Sequence, residues 1–353
     1  MALDLKRPAR LCFVGSVPLG SSDEVFRALG ARFGADLDRI PDGETGERTN
    51  WLQFQERVFA ANPAFEPVAG EIDWRNPNAQ LPQRTQYGLR AGIEAEHVQL
   101  GSLDYAANAI ASYASYQRAR RDGVIPPHCR YMVALPSPYN VISWAIATTS
   151  RPTVERLYER QLLAELDTIL AHVPPKELSI QWDCAHDMQA FDGARTPWFA
   201  PSRDGIIERL VRIGTRVPEG VELGYHLCYG SFGGRHFVEP TDSQAMVDLL
   251  NGVKRGLRRP IDWVHLPVPI ERDDDRYFAP LTQLALGDAQ VYLGLIHDTD
   301  GLDGTRRRFA TARRHLAHFG IATECGFGRR PRDSVPGLLE LHRVACEACL
   351  GNV

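Results

Sequence analysis

Eight short apolar runs, separated by helix-like stretches, constrain this chain more than any other feature. They are Leu11–Val14, Leu37–Ile40, Tyr131–Leu135, Leu178–Trp182, Val221–Tyr225, Ile261–Leu266, Val291–Ile296 and Ile321–Thr323. Between most of them lie segments with helical periodicity. The clearest spans Thr153 to Ala171, with Leu157, Leu162, Leu163, Leu166 and Leu170 on its apolar positions. Others run from Tyr105 to Arg121, Gly205 to Ile213, Ser243 to Arg255, Thr305 to Phe319 and Val335 to Leu350. Short strands alternating with helices build parallel sheets, and eight of them in 353 residues point to a (βα)8 TIM barrel. A doubly wound open sheet is the alternative. We expect one catalytic domain over 1–353, with a long insertion from about Thr45 to Arg130 packed over the barrel, a hairpin within it.

A barrel places its active site where the strands end in the C-terminal direction. Polar residues gather at those ends: Ser16, Asp42, Glu44, Asp183, His226, Cys228, His297 and Cys325. The stretch Gly224–Gly234 stands out. In a strand, positions i and i+2 face the same way, so His226 and Cys228 project side by side before a glycine-rich loop. Imidazole and thiolate together suit a borderline-soft metal, zinc above all. A buried His and a buried Cys are also ordinary core residues, so the pair gains weight only from Cys325 at another strand end. Gly230–Gly234 lacks the lysine and spacing of a phosphate loop and reads as a flexible active-site loop.

These motifs, taken in order, resemble the catalytic barrel of the cobalamin-independent methionine synthase superfamily. That family holds zinc with His-x-Cys after one strand, Glu after the next and Cys after the last. His226-Leu227-Cys228-Tyr229 resembles the first element, and Glu324-Cys325-Gly326-Phe327, followed by Arg329 and Arg330, resembles the last. Ile296-His297 is similar to the segment whose His donates a proton in the synthases. Gly15-Ser16, Asp42-Gly43-Glu44 and Gln181-x-Asp183 stand where the family has substrate-binding segments, and Pro136-Ser137-Pro138 is similar to a turn in its shorter relatives. The resemblance implies zinc as cofactor and methyl or alkyl transfer to a thiol. It also implies His297, Glu44 and Asp183 as catalytic residues and Ser16, Asp42, Ser137 and Cys184 as substrate contacts; His186 and Asp187, just past a strand end, are further pocket candidates by position.

Two departures alter that expectation. The position of the family's zinc-binding Glu is taken by Pro267, counted from Asp262. His265, two residues earlier on the same face, is a candidate substitute ligand; otherwise the metal has His226, Cys228 and Cys325 with one position open. Cys184-Ala185 replaces the synthases' Glu-Pro, so the pocket differs. No counterpart of the synthases' N-terminal barrel is seen, which counts against a polyglutamyl-folate donor. Two thiolates and a neutral His on a zinc dication are formally neutral, which favours Lewis-acid strength. A zinc-assisted lyase or hydrolase acting on a small oxygenated substrate is therefore the second reading. A metal-binding or thiol-sensing barrel without catalysis is the third, opposed by His297 and Glu44.

The formal net charge of −4, with both signs dispersed, argues against nucleic acid as a partner. No run is long enough to span a bilayer, and no signal core opens the chain. Seven cysteines without a disulfide-scaffold spacing fit a reducing cytoplasm. A small-molecule substrate is the expected partner, and a homodimer is compatible with the sequence. Cys12 and Cys129 read as buried thiols, Cys346-x-x-Cys349 as structural, and Arg306–Arg308 with Arg313-Arg314 as a solvated helix face.

Overall fold

The computed structural model describes residues 8–69, 85–232, 235–236 and 238–351. Seven strands form one parallel sheet in the chain order β1 (Arg39–Pro41), β2 (Arg130–Pro136), β3 (Leu178–Cys184), β4 (Glu222–Leu227), β5 (Trp263–Pro267), β6 (Gln290–Ile296) and β7 (Gly320–Thr323). The sheet curls into a half-barrel, in keeping with a TIM-like barrel. The first apolar run does not form a ladder. Instead Leu11 makes isolated parallel bridges to Leu37, just before β1, and to Ile321 in β7, touching both edges of the sheet. Hydrogen bonds from Cys12 N to Ile321 O (3.2 Å) and from Ile321 N to Arg10 O (2.8 Å) fasten it.

Helices cover the outer face, as buried parallel strands require. They are α1 (Ser22–Phe33), α2 (Tyr105–Arg121), α3 (Arg151–His172), α4 (Ser202–Thr215), α5 (Gln244–Gly256), α6 (Gly301–His315) and α7 (Val335–Leu350). α1 starts at Ser21, whose side chain accepts from Glu24 N, a cap that satisfies one of the orphan amides of the first turn. α2, the last part of the excursion after β1, packs between α1 and α3. The earlier part forms short turns at 46–60 and a hairpin of Phe65–Ala69 with Thr85–Leu89.

Strand parity sorts the side chains. Tyr225 turns outward, where its hydroxyl donates to Leu210 O of α4 (2.9 Å). The other parity, including Glu222, Gly224 and His226, turns inward, and so do Trp263, His265, Gln290 and Tyr292. At the lower end Arg39, 2% exposed, fills the interior. It donates to Glu222 Oε2 (3.1 Å), the Tyr292 hydroxyl (2.9 Å) and Gln290 Oε1 (2.6 Å), and its guanidinium lies 4.8 Å over the Trp263 ring. One level higher the Trp263 indole crosses the interior to Ser179 Oγ (3.0 Å). It occupies the space beside Gly224, where a Cβ would meet the indole at 2.0 Å. The top level is set by register: Asp183 pairs with His226, and His226 with His265.

One surface expectation is overturned. Arg308 of the basic run is fully buried, donating to Leu295 O (3.0 Å) and to both Asp300 oxygens (2.7 and 2.8 Å). The charge run disguised a guanidinium whose donors are matched by a carboxylate and carbonyls. Cys12 and Cys129 are buried as expected. No described helix is long and apolar enough to cross a membrane.

Gly224→Ala is expected to cost about 1–3 kcal/mol through overpacking against Trp263. Urea unfolding checks this, and an unchanged midpoint would show that the indole has room to move.

Candidate active site

The upper rim of the sheet holds a pocket of about 180 Å3. Its floor comes from strand ends: Val14 and Ser16, Asp183 through His186, His226 and Cys228, and Cys325 and Gly326. Its wall comes from the excursion after β1, through Glu44 and residues 49–53, with Trp144 and Arg329.

His226, Cys228 and Cys325 converge, each offering a ligand atom within 4.8 Å of the others. His226 is the inward residue near the end of β4, Cys228 follows that strand, and Cys325 follows β7. The two sulfurs lie 3.9 Å apart, with Cys228 donating to Cys325. That bond and His226 pull the Cys325 thiol well below its usual range, while Cys228 is held above it by the same shared proton and by burial. Gly230 N donates to the Cys228 sulfur (3.2 Å). Two thiol sulfurs and an imidazole form a donor set that fits a borderline-soft dication such as zinc.

His265 stands outside this group. It is fully buried, with Nδ1 at 2.8 Å from His226 Nδ1 and Nε2 at 2.9 Å from Thr323 O. Burial, then the neighbouring His226, hold its pKa well below the ordinary histidine range. Pro267 lends only a carbonyl, which accepts from the Tyr277 hydroxyl (2.8 Å).

Glu44 and Asp183 bring carboxylates to the same pocket. Asp42 arranges the first: its Oδ1 accepts from Glu44 N (2.9 Å) and its Oδ2 from Arg48 (2.8 Å), holding Glu44 at φ 45°. Gly15 leaves room opposite, since a Cβ there would meet Glu44 Oε2 at 2.9 Å, and its own φ is 134°. Burial pushes the Glu44 carboxyl up to about 8 against the opposing pull of Arg48, with Asp42 and Cys325 adding to the rise. Burial, then Glu44, push Asp183 well above its ordinary value. Gln181 (2.6 Å) and the Trp51 indole (3.2 Å) each donate to an Asp183 oxygen.

The remaining expected residues divide. Ser16, Cys184 and His186 line the pocket, and His186 Nδ1 is 2.6 Å from Ser143 Oγ. Asp42, Ser137 and His297 are buried outside the lining set. Ser137 caps the helix Pro138–Ala145 and donates to Asp187 Oδ2 (2.6 Å). His297 donates through Nε2 to Val268 O (2.9 Å), and its Nδ1 is 4.0 Å from Glu324 Oε2. Burial lowers the His297 pKa, so it is a neutral imidazole near pH 7. Gly233 and Gly234 of the expected active-site loop lie outside the described residues.

Sequence reading missed Trp51, Trp144 and Asn140, and it quoted Arg329 in the last-strand motif without giving it a role. Trp51 has φ 35°, a left-handed backbone rare for so bulky a residue. Asn140 clamps the end of β3, donating to Asp183 O (2.6 Å) and accepting from His186 N (2.7 Å). Only the Pro-Ser-Pro turn just before Asn140 signalled that this segment meets the rim.

No protein-family model matches the chain, and no curated protein sequence matches it significantly. The fold is similar to that of a B12-independent methionine synthase from Shewanella sp. W3-18-1, solved with selenomethionine. The TM-score is 0.61 with 17% identity, over 97% of this chain and 98% of that one. A methyltransferase from Methanosarcina mazei superposes with a TM-score of 0.49 and 12% identity, over 96% and 94% of the two chains.

Glu44 and Asp183 titrate above their unfolded values, so protonation favours the folded state. That stability is complete below the unfolded carboxylate range and is lost as pH rises through about 8 for Glu44. Metal-free protein is expected to unfold at lower urea near about pH 9 than about pH 6, and Glu44→Gln to shrink the difference. A difference untouched by the substitution would place the titration elsewhere.

Proposed function

We propose that the chain is a zinc-dependent (βα)8 enzyme of the cobalamin-independent methionine synthase kind that transfers a methyl or alkyl group to a thiol. The observation that supports this most is the convergence of His226, Cys228 and Cys325 beside two carboxylates in one pocket. The fold likeness to a methionine synthase agrees with it. In this reading Leu11–Val14 completes the barrel as its eighth strand.

His226, Cys228 and Cys325 would hold the zinc. Bound there, it supplies a Lewis acid that keeps a substrate thiol ionised at neutral pH, where a free thiol near pKa 8.5 is mostly protonated. The protein's residues do the rest. Glu44 and Asp183 accept hydrogen bonds from an ammonium or hydroxyl group of the substrate, which brings both carboxyls back toward their ionised form. The Trp51 indole fixes Asp183 Oδ2, so the acceptor is aimed before substrate arrives. Trp51, Leu52 and Trp144 exclude water from the reacting sulfur. Arg329 sets a cation at the wall for an anionic group on either reactant. His297, neutral and behind the wall, relays a proton to the leaving group only through an intervening water or side chain.

One observation favours the second reading, a zinc-assisted lyase or hydrolase. The three-residue donor set contains no carboxylate, which leaves the bound ion a stronger Lewis acid than a set including Glu.

Cys228→Ser and Cys325→Ser are each expected to lose zinc and activity. Zinc-edge X-ray absorption of the wild type, before and after adding a small thiol such as homocysteine, separates the readings. A gained sulfur ligand supports alkyl transfer. An unchanged sulfur count, with turnover of a single oxygenated substrate, supports the lyase or hydrolase. Protein that takes up no zinc overturns both.

A further inference from the structure

The buried His265 is unexplained by a three-ligand site. A fully buried imidazole without a task would ordinarily be replaced by an apolar side chain, since its polar atoms must be matched inside the protein. Here both nitrogens are matched, and the partners determine where each proton sits.

Thr323 O, 2.9 Å from His265 Nε2, is a carbonyl and only accepts. The proton in that contact is therefore on Nε2 of His265. In a neutral imidazole the other nitrogen is then a lone pair, so His265 Nδ1 accepts. Its neighbour at 2.8 Å is His226 Nδ1, which must be the donor. His226 thereby carries its proton on Nδ1, and its Nε2 is left as a lone pair. Nε2 is also the nitrogen that remains for a metal held with the two sulfurs, because Nδ1 is spent on His265. Every link is thus oriented the same way, from a fixed carbonyl through His265 to the metal-facing nitrogen.

The carbonyl's position adds a second constraint. Thr323 ends β7, two residues before Cys325, and its hydroxyl donates to Cys325 O (2.8 Å). The strand end that presents one sulfur therefore also sets the tautomer of the imidazole. His226 and His265 are register partners in β4 and β5, so the contact follows from the ladder itself.

We propose that His265 is a positioning residue that fixes His226 as the Nε2 ligand, rather than a ligand of its own. This rests on the zinc reading above. A partner that orients a metal-bound histidine in this way is worth about 10–100-fold in metal affinity.

The test uses full-length protein stripped of metal and titrated with zinc against a chromophoric chelator. His265→Leu keeps bulk but leaves the His226 Nδ1 proton without an acceptor, and is expected to weaken zinc binding about 10–100-fold. His265→Gln offers an amide N–H to Thr323 O and a carbonyl oxygen to His226, and is expected to recover most of the affinity. Nitrogen-15 NMR of histidine-labelled, zinc-loaded wild type reads the tautomer directly, so the idea stays testable if the Leu variant fails to fold. The expected spectrum shows His226 protonated on Nδ1 and metallated on Nε2. Wild-type affinity in His265→Leu overturns the proposal, and so does zinc on His226 Nδ1. A second histidine nitrogen in the zinc-edge spectrum that vanishes in His265→Leu would make His265 a ligand instead. Wild-type protein that binds no zinc would overturn the metal reading on which this stands.

Discussion

The site depends on one geometric constraint, the register of the parallel ladder across β3, β4 and β5. Asp183, His226 and His265 stand opposite one another on three adjacent strands, all turned inward. Parallel strands are rigid and closely spaced, and here their outer face is covered by helices. The three side chains thus meet without relying on a mobile loop. Cys228 and Cys325 lie one or two residues beyond a strand end, close enough to inherit that precision. The turns at 46–60 supply the wall and not the sulfur and imidazole ligand atoms.

Electrostatics gives the pocket its character. Two thiols and two carboxyls share a small volume from which water is largely excluded. Burial, and then their acidic neighbours, hold Glu44 and Asp183 above their usual range, and Cys228 is raised with them, while the proton it shares pulls Cys325 down. Such a site stores affinity for positive charge. The donor set answers one part of it as a dication would, and the carboxylates answer another as an ammonium or hydroxyl group would. Arg48, drawn toward Asp42, and Arg329 at the wall offset only part of the excess.

Much of this was legible in the sequence, for physical reasons. Strand parity and polar residues at strand ends are local signals, and they identified His226, Cys228, Cys325, Glu44 and Asp183. The helices Tyr105–Arg121 and Val335–Leu350 lie where the sequence reading put them. Parity also showed that His265 faces inward. It could not show that Thr323 O waits on the far side, because that partner comes from β7, fifty-eight residues away. Trp51 left no trace for the same reason: its role depends on a backbone turn that folds it over Asp183. Arg308 was misread because a run of arginines looks the same whether or not one of them finds a buried carboxylate. Leu11–Val14 was read as a strand, and its bridges to both sheet edges show the tendency without the ladder.

Arg39 has a consequence for traffic. Its guanidinium, pinned by Glu222, Gln290 and Tyr292 beneath the Trp263 ring, stoppers the lower end of the sheet's interior. With the interior beneath it filled by Arg39 and Trp263, the pocket opens on the rim side. Two reactants sharing it, as the proposed transfer requires, would enter from that side in turn, the deeper-seated one first.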